Sequence, residues 1–583
     1  MSYISAIRKG DEVIIWERTE NGREAKVYQP IYEFYTEEED QTIDGGYRSI
    51  YGHRLRKHEF KTWHDFNAAR QDSISSDVPL YESDIPSEMK VLSKHYYNVP
   101  APKLHVTFFD IEVDYNPHIG HATIENPYAP INSVALYHEW CDRTVVYCVP
   151  PSGWDGKFDE SLHELADITI CDNETNLLLN LIVEFEDSDV IAGWFSDFFD
   201  TPYVCKRIER VLGERFLKKM SFDNAPKPRF REVPQYNNKP TVCDLAGRIN
   251  TDYLDLFKKY EEKGRRSYKL ASIADEELPH LPKLTYKGSL HKLYNENFSY
   301  FVRYNIRDTE ILKGLEQKFG YMALSNELYH SSTGLFKHVT GTLKLADHAI
   351  INYCHHEIDA RVPDTKRPEI EVDEDGNKKK IKGALVLSPK VGMHDWIAGI
   401  DIKSLYPSSI ISINISPETL RGQFTECQKA SKEIAKGSLV PLTFTFEEND
   451  YPLTLPASEW RERFKDLNWS VSGYGTAFDQ NVRGIIPSIL IEWFNTRKQH
   501  QKKKGTAEDK EEKGYYDRLQ YIYKIKLNST YGALNNPFFR FHDTRMGEST
   551  TATGQTILRH QCAKANEVLT GEYVWPEKDD GCG

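Results

Sequence analysis

Short apolar runs separated by polar turns open the chain, first Val13-Ile14-Ile15-Trp16 and then Val27-Tyr28, and the segment closes near Pro100 and Pro102. That pattern predicts a small strand-rich domain over 1–103, joined by 331–372. Over 104–330, strand-like stretches such as LHVTFFDIEV and DVIAGW alternate with helical ones such as TPYVCKRIERVLGERF. Such alternation predicts an α/β sheet covered by helices. A third region, 373–483, starts with a hairpin signal at Asp375-Gly376 and continues into the strand IAGIDI. Ile485–Lys504 and Tyr515–Leu527 then read as two helices separated by GTAEDKEEKG, a helical hairpin within 484–536, and 537–583 completes the chain. No repeat at solenoid periods is present.

Composition refines this multidomain α/β picture. The 583 residues are 39% hydrophobic and 28% charged, with 34 Tyr and 27 Phe, so several cores can form without metal or disulfide staples. A formal net charge of −14 excludes a protein that coats nucleic acid by bulk attraction, so any DNA site must be a local patch. The nine cysteines form no CxxC pair, which argues against a zinc ribbon or disulfide framework and for reduced intracellular thiols. Neither a signal-peptide pattern at the start nor a run of about 18 apolar residues occurs, so the reading is cytoplasmic, with no membrane partner. Cys354-His355-His356 reads as a helix surface, because no second ligand pair stands at a useful spacing.

Candidate chemistry begins in FDIEV. Asp110 and Glu112 stand two apart on a strand, so both point to one face and could share a divalent ion. Asp200 follows the strand VIAGW and precedes a helix opened by Pro202, a position that suits a helix cap or a ligand. Asp308 lies four residues after Tyr304 on a helical stretch, which stacks carboxylate and phenol on one face. Singly, each feature has an ordinary structural reading. Together they supply the parts for two-metal phosphodiester hydrolysis, in which clustered negative charge is tolerable only with cations bound.

The order and contexts of these residues resemble the DEDDy 3′-to-5′ exonuclease domain of family B DNA polymerases. The resemblance implies an RNase H-like domain over 104–330, with Asp110, Glu112, Asp200 and Asp308 binding two Mg²⁺ or Mn²⁺ ions and Tyr304 orienting the attacking water. One departure is visible: Phe195 and Ser196 occupy a stretch where the family commonly has an Asn.

A second constellation follows. In GIDIKSLYPSSII, Asp401 closes an apolar strand before a helix whose first turn holds Pro407, so a carboxylate and backbone N–H groups converge at a helix start, a suitable place for metal-bound triphosphate. The string resembles motif A of family B polymerases, and NISPET (Asn414 to Thr419) resembles the tailed-phage, T-even-like branch. That resemblance implies a palm over 373–483 in which Asp401 binds catalytic metal, the Ser404 and Leu405 backbone touches phosphates, and Tyr406 lies under a deoxyribose. Lys524, Asn528 and Tyr531 form a stripe on the second hairpin helix, and Arg497 on the first offers a second phosphate clamp. K-x-x-x-N-S-x-Y-G resembles motif B, which implies fingers over 484–536, nucleotide contacts for Arg497, Lys524 and Asn528, and a place beside the nascent base pair for Tyr531 and Gly532. Ile381-Lys382-Gly383-Ala384 resembles a template-contacting Y-x-G-G/A segment of the family, with Ile381 where the family has its aromatic and Gly383 as its glycine.

Polymerisation in this family also needs an acidic hairpin of Y-G-D-T-D-S type, and no such string occurs here. The expectation is therefore the N-terminal part of a replicative DNA polymerase, with 537–583 starting a second palm segment that stops before that hairpin and the thumb. Such a part would polymerise only with a C-terminal polypeptide, through which a sliding clamp could be engaged. Primer-template DNA, single-stranded 3′ ends and deoxynucleoside triphosphates are the implied ligands, and the host cell cytoplasm the implied place of action. Alternative readings are a stand-alone 3′-to-5′ exonuclease and a non-catalytic DNA-binding fragment.

Overall fold

The computed structural model describes residues 2–42, 46–116, 118–234, 239–261, 263–366, 383–387, 391–397, 399–447 and 451–574. The chain divides into two compact units, one of 1–31 with 86–341 and the other of 32–85 with 342–583. The segment 1–103 is thus shared between them.

The first unit begins with an antiparallel three-stranded sheet of Ser2–Lys9, Glu12–Thr19 and Gly22–Tyr28. Its centre is a six-stranded mixed sheet in the order Asp167–Ile170, Arg143–Cys148, Ile131–His138, Val106–Val113, Val190–Gly193, Ile249–Asp252. Val106–Val113 runs antiparallel to Ile131–His138 and parallel to Val190–Gly193. Because side chains alternate along a strand, Phe109 and Ile111 enter a core with Tyr203, Val204 and Ile208 of the helix Asp200–Leu212. On the other face Ala135, Val146 and Cys148 pack against Phe301, Val302 and Ile306 of the helix Phe298–Phe319. Each fully buried Phe, Ile or Val there contributes about 1.5–3 kcal/mol. Helices thus cover both faces, and the expected helical stretch after Asp200 ends at Gly213, whose φ of +87° few other residues tolerate.

In the second unit, five short strands order as Ala360–Arg361, Tyr47–Ser49, Arg54–Phe60, Tyr32–Glu37, Leu80–Tyr81. A separate five-stranded antiparallel sheet spans Leu420 to Asp479 and closes on Trp460 and Phe464 through Phe424 and Phe444. The helical hairpin consists of Ile485–Thr506 and Lys510–Leu534. Its second helix starts inside the stretch read as a connection, because Asp509 caps it by accepting from the Glu512 amide at 2.9 Å. The first hairpin helix is capped by the NISPET string. Asn414 Oδ1 accepts from the Gly484 amide at 2.9 Å, Ser416 Oγ accepts from the Ile486 amide at 3.3 Å, and Glu418 takes the Ile485 amide. A Cβ on Gly484 would come within 2.6 Å of Ser416 Cβ.

Two expectations fail here. Of IAGIDI, the described residues 397 and 399–402 form no strand, and Ile397 and Ile400 stand exposed. No described strand pairs with that segment, and a strand without a ladder leaves its amides to water. Cys354 is not on a helix surface but fully buried, and His355 hydrogen-bonds Glu82 at 2.7 Å. The Asp375-Gly376 hairpin lies outside the described residues, as do Ile381 and Lys382. Among the described residues no helix is long and apolar enough to cross a membrane.

A buried ion network ties this unit together. Arg540 donates through Nε to Asp347 Oδ1 at 3.0 Å and through Nη1 to Asp84 Oδ1 and the Pro363 carbonyl, both at 2.7 Å. Removing one partner strands the others in low dielectric. Arg540→Ala is expected to cost about 3–5 kcal/mol in urea unfolding, and a loss below 1 kcal/mol would show the network to be dispensable.

Candidate active site

Strand geometry sends Asp110 and Glu112 to the face covered by Phe298–Phe319, and that helix delivers Tyr304, Asn305 and Asp308 to the same place. One carboxylate oxygen each from Asp110, Glu112 and Asp308 lies within 4.8 Å of the others, the only group of this kind among the described residues. Asp200 lines the same pocket, with Trp194, Phe195, Phe198, Phe199, Lys283 and Tyr304. It does not cap its own helix; Phe199 holds that position, and Asp200 Oδ1 instead accepts from the Ile111 amide at 3.3 Å. All five residues expected at this site are therefore brought together.

Two neighbours were not anticipated from the sequence. Lys283, next to Pro282 in a connecting segment, donates from Nζ to Asp308 Oδ2 at 2.6 Å and sits 5.0 Å from the Tyr304 ring centroid. Asn305, fully buried, donates from Nδ2 to Asp110 Oδ2 at 2.8 Å and to the Asp110 carbonyl at 3.1 Å, while Ser133 Oγ donates to its Oδ1 at 2.8 Å. This chain fixes which way Asp110 points. Asn305 could have been noticed one turn before Asp308, whereas nothing local marks Lys283.

Crowding is visible in the proton affinities. Burial, then repulsion from Asp308, Asp200 and Glu112, pushes the Asp110 carboxyl well above its usual range. Glu112 is raised by burial and by Asp308, and Asp200 is pushed up to about 7, mainly by burial. Burial also raises Asp308 against the attraction of Lys283. Burial would lower the Lys283 ammonium, but Asp308 and Asp110 outweigh it and hold it above its usual value. Burial lifts the Tyr304 phenol to about 12, so it remains a hydroxyl donor at neutral pH. Asp308 Oδ1 is buried without a hydrogen-bond partner among the described residues. An unsatisfied oxygen facing two further carboxylates fits a hard divalent cation.

The second unit brings together only part of the other constellation. Asp401 lies in exposed irregular chain. Ser404, at φ +56°, precedes the helix Leu405–Ile413, which carries Tyr406. Tyr406 stacks on Tyr531 with ring centroids 4.3 Å apart, and Tyr531 shares a 2.8 Å hydrogen bond with Thr551 Oγ1. A Cβ on Gly554 would meet the Tyr406 ring at 3.3 Å. Lys524, Asn528, Tyr531 and Gly532 all lie on Lys510–Leu534, with Asn528 and Gly532 exposed. Arg497 on the partner helix donates to Gln520 Oε1 at 3.4 Å, and the Gly383 carbonyl accepts from Gln555 Nε2 at 2.7 Å.

Comparison with known proteins places these sites in context. Residues 351–574 match DNA polymerase family B, and residues 66–273 match DNA polymerase family B, exonuclease domain. The chain belongs to DNA polymerase family B. It is 26% identical to the DNA-directed DNA polymerase of Enterobacteria phage T4 and 25% identical to that of Escherichia phage RB69, in each case over 97% of this chain and 67% of the relative. DNA polymerase 1 of Aeropyrum pernix is 24% identical over 85% of this chain and 48% of its own length. The exonuclease match covers Asp110, Glu112 and Asp200 and ends before Lys283, Tyr304 and Asp308.

Raised carboxyls carry a pH signature. Asp200 titrates near 3.8 when unfolded and about 7 when folded, so between these values the folded chain binds more protons than the unfolded one. Its contribution to stability is full below the lower value and lost as pH climbs through the upper, and Asp110 and Glu112 act in the same sense. Mg²⁺ favours the ionised acids, so it should raise the calorimetric unfolding temperature more at about pH 8 than at about pH 5. Asp110→Asn plus Glu112→Gln should flatten that difference; an unchanged Mg²⁺ effect in the variant would exclude these acids as the metal-holding groups.

Proposed function

We propose that the acid pocket removes nucleotides from the 3′ end of DNA as the proofreading site of a replicative polymerase whose nucleotide-adding site lies in the second unit. The observation that carries this is the convergence of Asp110, Glu112 and Asp308 within 4.8 Å, with a buried oxygen of Asp308 left unpaired. Residues 104–330 are assigned to an RNase H-like exonuclease domain, and 1–103 with 331–372 to a strand-rich domain. The assignments 373–483, 484–536 and 537–583 correspond to palm, fingers and a second palm segment.

Asp110, Glu112, Asp200 and Asp308 would hold Mg²⁺ or Mn²⁺, two ions per site. Such ions, when bound, supply a nucleophilic hydroxide at neutral pH and charge relief for the departing 3′ oxygen. The chain's own groups do the positioning. Ser133 and Asn305 fix the Asp110 carboxylate, and Tyr304 holds the attacking water by its hydroxyl. Lys283 keeps a fixed positive charge against Asp308, where it balances the acids and faces an incoming phosphodiester.

On the polymerase side, Asp401 would bind metal, the Ser404 and Leu405 amides would meet phosphates, and Tyr406 would lie under the sugar of a deoxynucleoside triphosphate. Arg497, Lys524 and Asn528 would clamp the triphosphate, Tyr531 and Gly532 would border the new base pair, and Gly383 would face the template. The left-handed Ser404 before a helix start and the stacked Tyr406 and Tyr531 support this reading. A second acid of Y-G-D-T-D-S type would come from a C-terminal polypeptide, with which a sliding clamp and the host cytoplasm belong as further expectations. The exposed setting of Asp401, with no strand paired to its segment among the described residues, favours a second reading for the chain by itself, that of an exonuclease alone.

With Mg²⁺ and a primer-template mismatched at its 3′ end, the chain should shorten the primer and, given deoxynucleotides, fail to extend it. Asp110→Ala plus Glu112→Ala should abolish shortening, and Asn305→Ala should slow it about 10- to 100-fold. Digestion unaffected by the double substitution would refute the site, and extension by the chain alone would refute the need for a second polypeptide.

A further inference from the structure

Residues 282–286 form neither helix nor strand, yet they are fastened along the helix Phe298–Phe319. Arg307 Nη1 donates to the Pro282 carbonyl at 2.8 Å, Lys283 Nζ to Asp308 Oδ2 at 2.6 Å, and the Tyr300 hydroxyl to the Thr285 carbonyl at 2.9 Å. The remaining fastening is aromatic: the rings of Tyr286 and Tyr304 meet edge to face, with centroids 5.4 Å apart and planes at 79°. Tyr300, Tyr304, Arg307 and Asp308 recur at helical spacing, so the segment lies against a single stripe and runs antiparallel to it. The register is metric. Three extended residues from Pro282 to Thr285 and seven helical ones from Tyr300 to Arg307 both span about 10 Å.

This register brings two side chains of the segment to Tyr304. Lys283 Nζ lies 5.0 Å from the Tyr304 ring centroid, and Tyr286 supplies the edge-to-face contact. Tyr304 lines the acid pocket, whereas Tyr286 is not among the lining residues. Burial, and after it the charge of Glu112, raises the Tyr286 phenol above its usual value, so the side chain stands near the acids without adding to their charge. A step of Tyr304 between staggered χ1 wells would carry its hydroxyl away from the acids. We propose that Tyr286 is a positioning residue for phosphodiester hydrolysis, locking the Tyr304 rotamer and with it the hydroxyl aimed at the attacking water. The proposal rests on the exonuclease reading above. An edge-to-face pair acts through orientation, so its loss loosens the reacting geometry without releasing substrate.

The test uses the full chain, Mg²⁺ and a single-stranded oligonucleotide labelled on its 3′-terminal nucleotide, and reads kcat and KM for release of that nucleotide. Tyr286→Leu should lower kcat about 2- to 10-fold, as expected for one edge-to-face pair, and leave KM within about twofold. Tyr286→Phe keeps the ring edge and should restore kcat. Tyr304→Phe lacks the hydroxyl being aimed, so adding Tyr286→Leu to it should cost nothing further. Tyr300→Phe removes only the bond to the Thr285 carbonyl; it should lower kcat with the same non-additivity, and it serves if Tyr286→Leu does not fold. A rise in KM with kcat unchanged would make Tyr286 a DNA contact. An undiminished effect of Tyr286→Leu in the Tyr304→Phe chain would make its role general packing. Either result overturns the proposal. Failure of the exonuclease reading shows separately, as release indifferent to Asp110→Ala plus Glu112→Ala.

Discussion

Repulsion among carboxylates governs the first unit. Two ionised groups about 4.8 Å apart in a protein interior repel by roughly 3–4 kcal/mol at an effective dielectric near 20, and here three approach one another while a fourth lines the pocket. Such an arrangement persists only if the surrounding fold is rigid enough to prevent the acids from turning away. The sheet packed on both faces supplies that rigidity: the central strand is clamped between neighbours, and Asn305 and Ser133 hold Asp110 from the covering helix and the adjoining strand. Lys283 compensates part of the charge from within the protein, and the remainder is available to dissolved cations.

The second unit shows the opposite condition. Asp401 sits on a segment with the composition of a strand but, among the described residues, no ladder, and the apolar Ile397 and Ile400 stand exposed. Elsewhere in the unit the packing is firm. The aromatic pair Tyr406 and Tyr531, the long hairpin helices and the Arg540 network are all packed and hydrogen-bonded.

How much of this was legible in the sequence depended on the range of the cause. Asp110 with Glu112 and Tyr304 with Asp308 were readable because the strand period and the helical i, i+4 spacing place them without knowledge of the fold. Asp200 was readable as a strand-end acid, though its role as a cap was open until its contact with Ile111 was seen. Lys283 was invisible, because its closeness to Asp308 results from the path of a connecting segment rather than from any periodicity. IAGIDI failed for the complementary reason: strand composition is local and strand pairing is not. The second hairpin helix began early because the Asp509 cap outweighed Gly514 and the charged run.

The NISPET string invites one more thought. Its Asn, Ser and Glu take the first amides of a long helix, and the glycine they meet has no space for any other residue. Selection acting on such a joint would preserve the letters whether or not any of them ever meets a substrate. A short string can thus be diagnostic of ancestry while being silent about chemistry, and kinship inferred from it speaks first of how the chain is joined together.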